Sequence, residues 1–153
     1  MAKKWTKGVF KALRRSWRNG RFCDLIIKGT GFAFKAHKVI LASTCQYFDN
    51  LFEQDSDDYG SAKAIVYVPD FTAAEVGWML RFAYEGEVTV SAEDALMFLK
   101  SAQRFGIRDF EEDTSLNVSN NERDFGKITF GNAIHENKFN VNISGIGGHK
   151  STH

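Results

Sequence analysis

Two short alternating segments that run straight into a helix constrain this chain more than any other feature. From Phe22-Cys23-Asp24-Leu25-Ile26-Ile27 to Lys28, side chains alternate; Gly29-Thr30-Gly31 makes a turn, and Phe32 and Phe34 resume the alternation. Period-two patterning around a glycine turn predicts a β-hairpin. His37 to Ala42 then turns helical with no linker, and Asp24 and Lys38 sit on the two sides of that junction. A hairpin feeding directly into a helix predicts a sheet covered by helices.

The pattern continues downstream. Ser43 and Gln46 fit a capping box, and Leu41, Cys45, Phe48 and Phe52 fall at helical spacing as core candidates. The acidic run from Glu53 to Asp58, then Tyr59-Gly60-Ser61, reads as a loop. Ala64 to Val68 is a strand, stopped by the single proline, Pro69. Thr72 and Glu75 form a second box, opening a helix with Val76, Met79, Leu80 and Ala83 on one face and Trp78, Phe82 and Tyr84 adding bulk around it. Gly86 breaks that helix, and Val88-Thr89-Val90 is a strand. Ser91 and Asp94 repeat the cap signal, Ala95, Leu96, Leu99 and Ala102 make the next stripe, Gly106 interrupts, and Ile107 and Phe110 close a last short helix. The order is strand, strand, helix, helix, strand, helix, strand, helix, helix, an α+β pattern.

A chain of 153 residues, 43% hydrophobic and 14% aromatic, supports one domain with a real core. The net charge of +1 names no partner, but its distribution is uneven: Lys3, Lys4, Lys7, Lys11, Arg14, Arg15, Arg18 and Arg21 precede the first acid. Trp5, Val9, Leu13 and Trp17 recur every four residues with Phe10 beside them, which predicts an amphipathic helix. Its stripe can pack on the domain or on a second copy. Three other readings are a membrane-surface helix, a calmodulin-type target and a mitochondrial presequence.

The chemistry points away from catalysis. Cys23 and Cys45 lack metal-ligand or disulfide-framework spacing, which fits reduced thiols in a cytoplasmic or nuclear protein. There is no secretory h-region and no apolar run of membrane-spanning length. No Ser/His/Asp or Cys/His arrangement and no phosphate-binding glycine motif stands out. The expectation is therefore no enzyme, cofactor, metal or small-molecule substrate. His37 has no second ligand at suitable spacing and is expected to be structural. With neither zinc-finger spacing nor a helix-turn-helix signal, no direct nucleic-acid partner is expected beyond weak contact with the basic face.

Together, Phe22-Cys23-Asp24-Leu25, the run from Phe34 to Ser43, Tyr47-Phe48, Leu51-Phe52, and Phe82-Ala83-Tyr84-Glu85-Gly86-Glu87-Val88 resemble the signature of the BTB/POZ domain. The resemblance covers about residues 5 to 112. It implies a homodimerising protein-interaction domain whose N-terminal helix packs across the partner subunit. This assigns Trp5, Val9, Phe10, Leu13 and Trp17 to the dimer interface. Asp24 and Lys38 match the charged pocket at the dimer groove of many members, or else form a fold-stabilising pair. Many members are substrate adaptors of cullin-type ubiquitin ligases, which places Tyr47, Asn50, Leu51, Glu53, Ser56 and Asp58 on the cullin-facing side. Adaptors often carry a hydrophobic residue, any residue, then Glu in that loop; Ser56-Asp57-Asp58 departs from it, which weakens the cullin case.

The expected division is a basic helix over 1–21, the BTB/POZ domain over 22–112, and an Asn/Gly-rich tail over 113–153. Asp113 to Asp124 reads as disordered. Ile128-Thr129-Phe130, bracketed by Gly126 and Gly131, and Phe139 to Ile143 alternate and could form strands that stack with copies of themselves. The function expected is a dimeric, non-catalytic scaffold, with the cullin adaptor as its finer form. The alternatives are a self-assembling signalling or transcription-regulatory scaffold acting through the tail, and membrane-surface binding through the first helix.

Overall fold

The computed structural model describes residues 2–54, 63–108, 116–118 and 126–131. Helix α1 (Ala2–Arg18) leads into strands β1 (Leu25–Gly29) and β2 (Phe32–Ala36), then helices α2 (Lys38–Thr44) and α3 (Gln46–Gln54). Strand β3 (Ala64–Tyr67), helix α4 (Ala73–Glu85), strand β4 (Glu87–Ser91) and helix α5 (Ala95–Phe105) follow, with strands β5 (Leu116–Val118) and β6 (Lys127–Gly131) last.

Two three-stranded sheets result, in the orders β2-β1-β3 and β4-β6-β5. The hairpin pairs Leu25 with Ala36 and Ile27 with Phe34, while β3 joins β1 in parallel, Leu25 beside Ala64. A parallel pair needs a long crossover, and α2 and α3 supply it. Alternation sends Leu25, Ile27, Ala64 and Val66 into the core and leaves Ile65 and Tyr67 exposed.

Aromatic rings fill the space under the helices. Phe71 stacks on Phe105 at 3.9 Å between centroids, and Phe48 stacks on the same ring at 6.1 Å. Leu41, Cys45 and Phe48 are buried as the spacing predicts, whereas Phe52 is half-buried. Burial lifts the Cys45 thiol to about 11, so this side chain behaves as a small apolar group.

Several expectations are corrected. Ser43 does not open a capping box with Gln46; its hydroxyl donates to the carbonyl of Val39 one turn back, and Gln46 donates to Asn50 instead. The buried face of α5 is Phe98, Ser101, Ala102 and Phe105, while Leu96 is exposed. Ring contacts of Phe98 with Phe130 and of Phe105 with Phe71 set that phase. Ile107 forms a β-bridge with Cys45 rather than entering a helix, and Phe110 lies outside the described residues. Gly106 makes this possible: it caps α5 at φ +61°, and a Cβ there would sit 2.9 Å from Gln46 Cβ. Packing also continues past residue 112. Leu116–Val118 is a strand, and β6 pairs with β4, Ile128 and Phe130 being buried against the core. The 139–143 segment and Ser56 and Asp58 lie outside the described residues.

The Thr72–Glu75 box is present, with the Glu75 amide donating to Thr72 Oγ1 at 3.2 Å and Glu75 Oε1 accepting from the Thr72 amide at 3.0 Å. Glu75 is also buried, accepts from the Ser101 hydroxyl and lies 3.8 Å from the Arg104 guanidinium. Burial acts to raise its carboxyl, but the Ser101 and Thr72 hydrogen bonds, with Arg104, outweigh it and hold the group below 4.5. A folded-state value below the unfolded one gives stability that is present above the unfolded value and lost as pH falls through the folded one. Glu75→Gln is expected to cost about 1–3 kcal/mol at neutral pH. Its deficit relative to the parent should shrink below about pH 4.5, as read from urea denaturation across the acid range.

Candidate interaction surface

The surface begins with α1. Its last turn is anchored on α4. Trp17 stacks on Tyr84 at 4.5 Å with an interplanar angle of 1°, and Arg18 pairs with Glu85 at 2.7 Å. Leu13 and Trp17 are half-buried, whereas every residue from Lys4 to Ala12 is exposed. The apolar stripe therefore continues past its own domain: Trp5 is 73% exposed, Phe10 45% and Val9 39%. Helices in proteins draw most of their stability from packing an amphipathic face, and the residues from Lys4 to Ala12 of this 17-residue helix leave theirs open.

Tyr84 does a second job. Its hydroxyl accepts from the His37 backbone N–H at 2.8 Å and lies 2.6 Å from His37 Nδ1. His37 Nε2 is 2.8 Å from the carbonyl of Arg21, which can only accept, so Nε2 carries the proton and the Tyr84 hydroxyl donates to Nδ1. One buried network thus ties the end of α1, the hairpin-to-helix junction and α4. His37 is structural, as its sequence context suggests, and burial pushes the Tyr84 phenol well above its ordinary range. Tyr84→Phe keeps the ring on Trp17 but strips His37 of two hydrogen bonds, at its backbone N–H and at Nδ1. It is expected to cost about 1–3 kcal/mol in urea denaturation.

Asp24 and Lys38 are brought together through the backbone, Asp24 Oδ1 accepting from the Lys38 amide at 2.8 Å. The acid thereby satisfies a free N–H at the start of α2, a fold-stabilising bond. It also draws together two segments whose neighbouring apolar residues are open to solvent, Phe22 at 77% and Val39 at 67%. Phe22 has φ +60°, an uncommon conformation for a bulky residue. Sequence reasoning missed both as surface residues; their apolar character reads equally as core.

The α3 side is less open. Tyr47 is half-buried, edge-on to Phe48, Phe71 and Phe105. Leu51 is half-buried, while Asn50 and Glu53 are exposed. Tyr47, Val68, Pro69, Asp70, Phe71 and Arg104 line a recess of about 260 Å³. Among the described residues no group of three or more His, Cys, Asp or Glu is placed to hold a metal ion, and no helix is long and apolar enough to cross a membrane.

Known proteins resemble this chain in sequence and in fold. The family model described as BTB/POZ domain matches residues 13–122. The chain belongs to the BTB/POZ domain family, a class of protein-interaction domains. It is 33% identical over 95 residues to the sex determination protein fruitless of Drosophila melanogaster, covering 62% of this chain and 10% of that protein. It is 33% identical over 103 residues to zinc finger and BTB domain-containing protein 14 of Gallus gallus, covering 67% of this chain and 22% of that protein. It is also 33% identical over 94 residues to longitudinals lacking protein-like of Drosophila melanogaster, covering 61% of this chain and 71% of that one. The chain thus spans 10% and 22% of the first two, and most of the third. The BTB domain of zebrafish PATZ1 shares the fold, with a TM-score of 0.60 and 24% identity over 69% of this chain and 84% of that one.

Proposed function

We propose that this chain is a homodimerising interaction module of the cytoplasm or nucleus, joined through α1. The observation that carries the reading is the exposed stripe Trp5, Val9 and Phe10 on a helix whose Trp17 and Arg18 anchor its last turn on α4. Leu13 and Trp17 continue that stripe into the domain, so the interface runs onto a rigid base. Phe22 and Val39 are further exposed apolar residues, on the segments that the Asp24–Lys38 bond joins. A two-fold interface applies the same patch twice, so a few exposed apolar residues suffice for a stable core. Sedimentation equilibrium at micromolar concentration tests it: the full chain should behave as a dimer, and a monomer would overturn the reading.

The finer role is that of a scaffold recruiting other proteins, with a cullin-type ligase as the partner its α3 face would take. Of the expected cullin-facing residues on α3, Asn50 and Glu53 are exposed, with Tyr47 and Leu51 half-buried beside them. A pull-down with a purified cullin N-terminal domain tests this role independently of dimerisation, and absence of binding would remove it.

A further inference from the structure

The polar side of α1 carries a charge pattern separate from the apolar stripe assigned to the proposed dimer. At 3.6 residues per turn, Lys4, Lys7, Lys11, Arg14, Arg15 and Arg18 fall on one arc of about 100°, opposite the apolar stripe. No acid lies anywhere on this helix, including its first turn. Lys4, Lys7, Lys11, Arg15 and Arg18 are exposed and Arg14 is half-buried. Among the described residues Arg18 is the member of this row that meets a carboxylate, Glu85.

The pattern works against the helix itself. Lys7 with Lys11, Lys11 with Arg15, and Arg14 with Arg18 are like charges four residues apart, which repel. Lys4 stands near the positive end of the helix dipole. A surface that only needed solvation would be served by mixed signs. A row of cations about 21 Å long, spaced three or four residues apart, instead matches an extended polyanion.

We infer that the cationic arc of α1 binds the phosphate backbone of nucleic acid without reading its sequence. The sequence carries no zinc-finger spacing or helix-turn-helix signal for base reading, and backbone neutralisation requires neither. Two rivals fit less well. A membrane surface would need the apolar stripe, which the dimer covers. An acidic protein segment would want an apolar anchor within its site, and the arc presents none. The choice over membrane rests on the dimer reading, so dimerisation is measured separately.

The test uses the full chain and a fluorescein-labelled DNA duplex of arbitrary sequence, titrated by anisotropy at several salt concentrations, with sedimentation in parallel. Five cations of the arc free of Glu85 give an expected slope of log K against log salt of about −4.5, or roughly 500-fold weaker binding from 50 to 200 mM. The exposed triple variant Lys4→Gln, Lys7→Gln, Lys11→Gln should remain dimeric and fold normally while the slope becomes shallower by about 3. The inference fails if the duplex does not bind at 50 mM salt, if the variant keeps the parental slope, or if phosphatidylserine vesicles bind the chain where the duplex does not. A monomeric parent that still binds the duplex with the expected slope would sink the dimer reading and leave the phosphate site standing.

Discussion

Cutting the chain after residue 112 is expected to unfold the domain or leave it close to unfolding. The deleted part includes β6, which pairs along the whole of β4 from Glu87 opposite Gly131 to Ser91 opposite Lys127. It takes Ile128 and Phe130 out of the core and uncovers Val88, Val90 and Phe98, with Phe98 losing a ring 4.7 Å away. The single change Phe130→Ala should cost about 3–5 kcal/mol, the usual range for a buried Phe. Domains of this size are stable by about 5–15 kcal/mol, so losing the strand, its ladder and both side chains removes most of that margin. Urea denaturation followed by circular dichroism measures both. A truncated chain that melts like the full one would mean that β6 decorates the fold without supporting it.

That result would also mark where sequence reasoning stopped. The alternation of Ile128-Thr129-Phe130 is visible in the sequence, and it signals a strand with one apolar face. Which edge that face covers is not visible, because β4 lies some forty positions earlier and alternation fixes a face rather than a partner. The phase of α5 was hidden for a related reason. Leu96 and Leu99 make one apolar stripe and Phe98 and Phe105 another, and only the rings waiting across the core decide between them. At Ser43 a local bond to the Val39 carbonyl wins over the capping box that its spacing allows.

The hairpin, the helix that follows it and the Thr72–Glu75 cap were legible because each depends on neighbours in sequence. The α1 stripe was legible as a stripe. Its division into an anchored end at Leu13 and Trp17 and an open end at Trp5, Val9 and Phe10 depends on where α4 places Tyr84 and Glu85. The hydrogen bonds of His37 to Tyr84 and the positive φ of Phe22 likewise come from tertiary placement, with no local signature.

The dimer stands or falls on that open end, and its exposure makes the experiment clean. Trp5 and Val9 are open to solvent in the single chain, so replacing both by Glu leaves the fold intact. In the proposed dimer each of these apolar side chains would contribute up to about 1.5–3 kcal/mol by burial. Losing two per subunit weakens association by at least about 10²-fold, before the cost of burying a carboxylate is counted. Sedimentation equilibrium of the Trp5→Glu, Val9→Glu variant beside the parent, with circular dichroism as the check on folding, decides it. The expected result is a folded monomer at concentrations where the parent is a dimer. A folded variant that still sediments as a dimer would contradict the α1 interface.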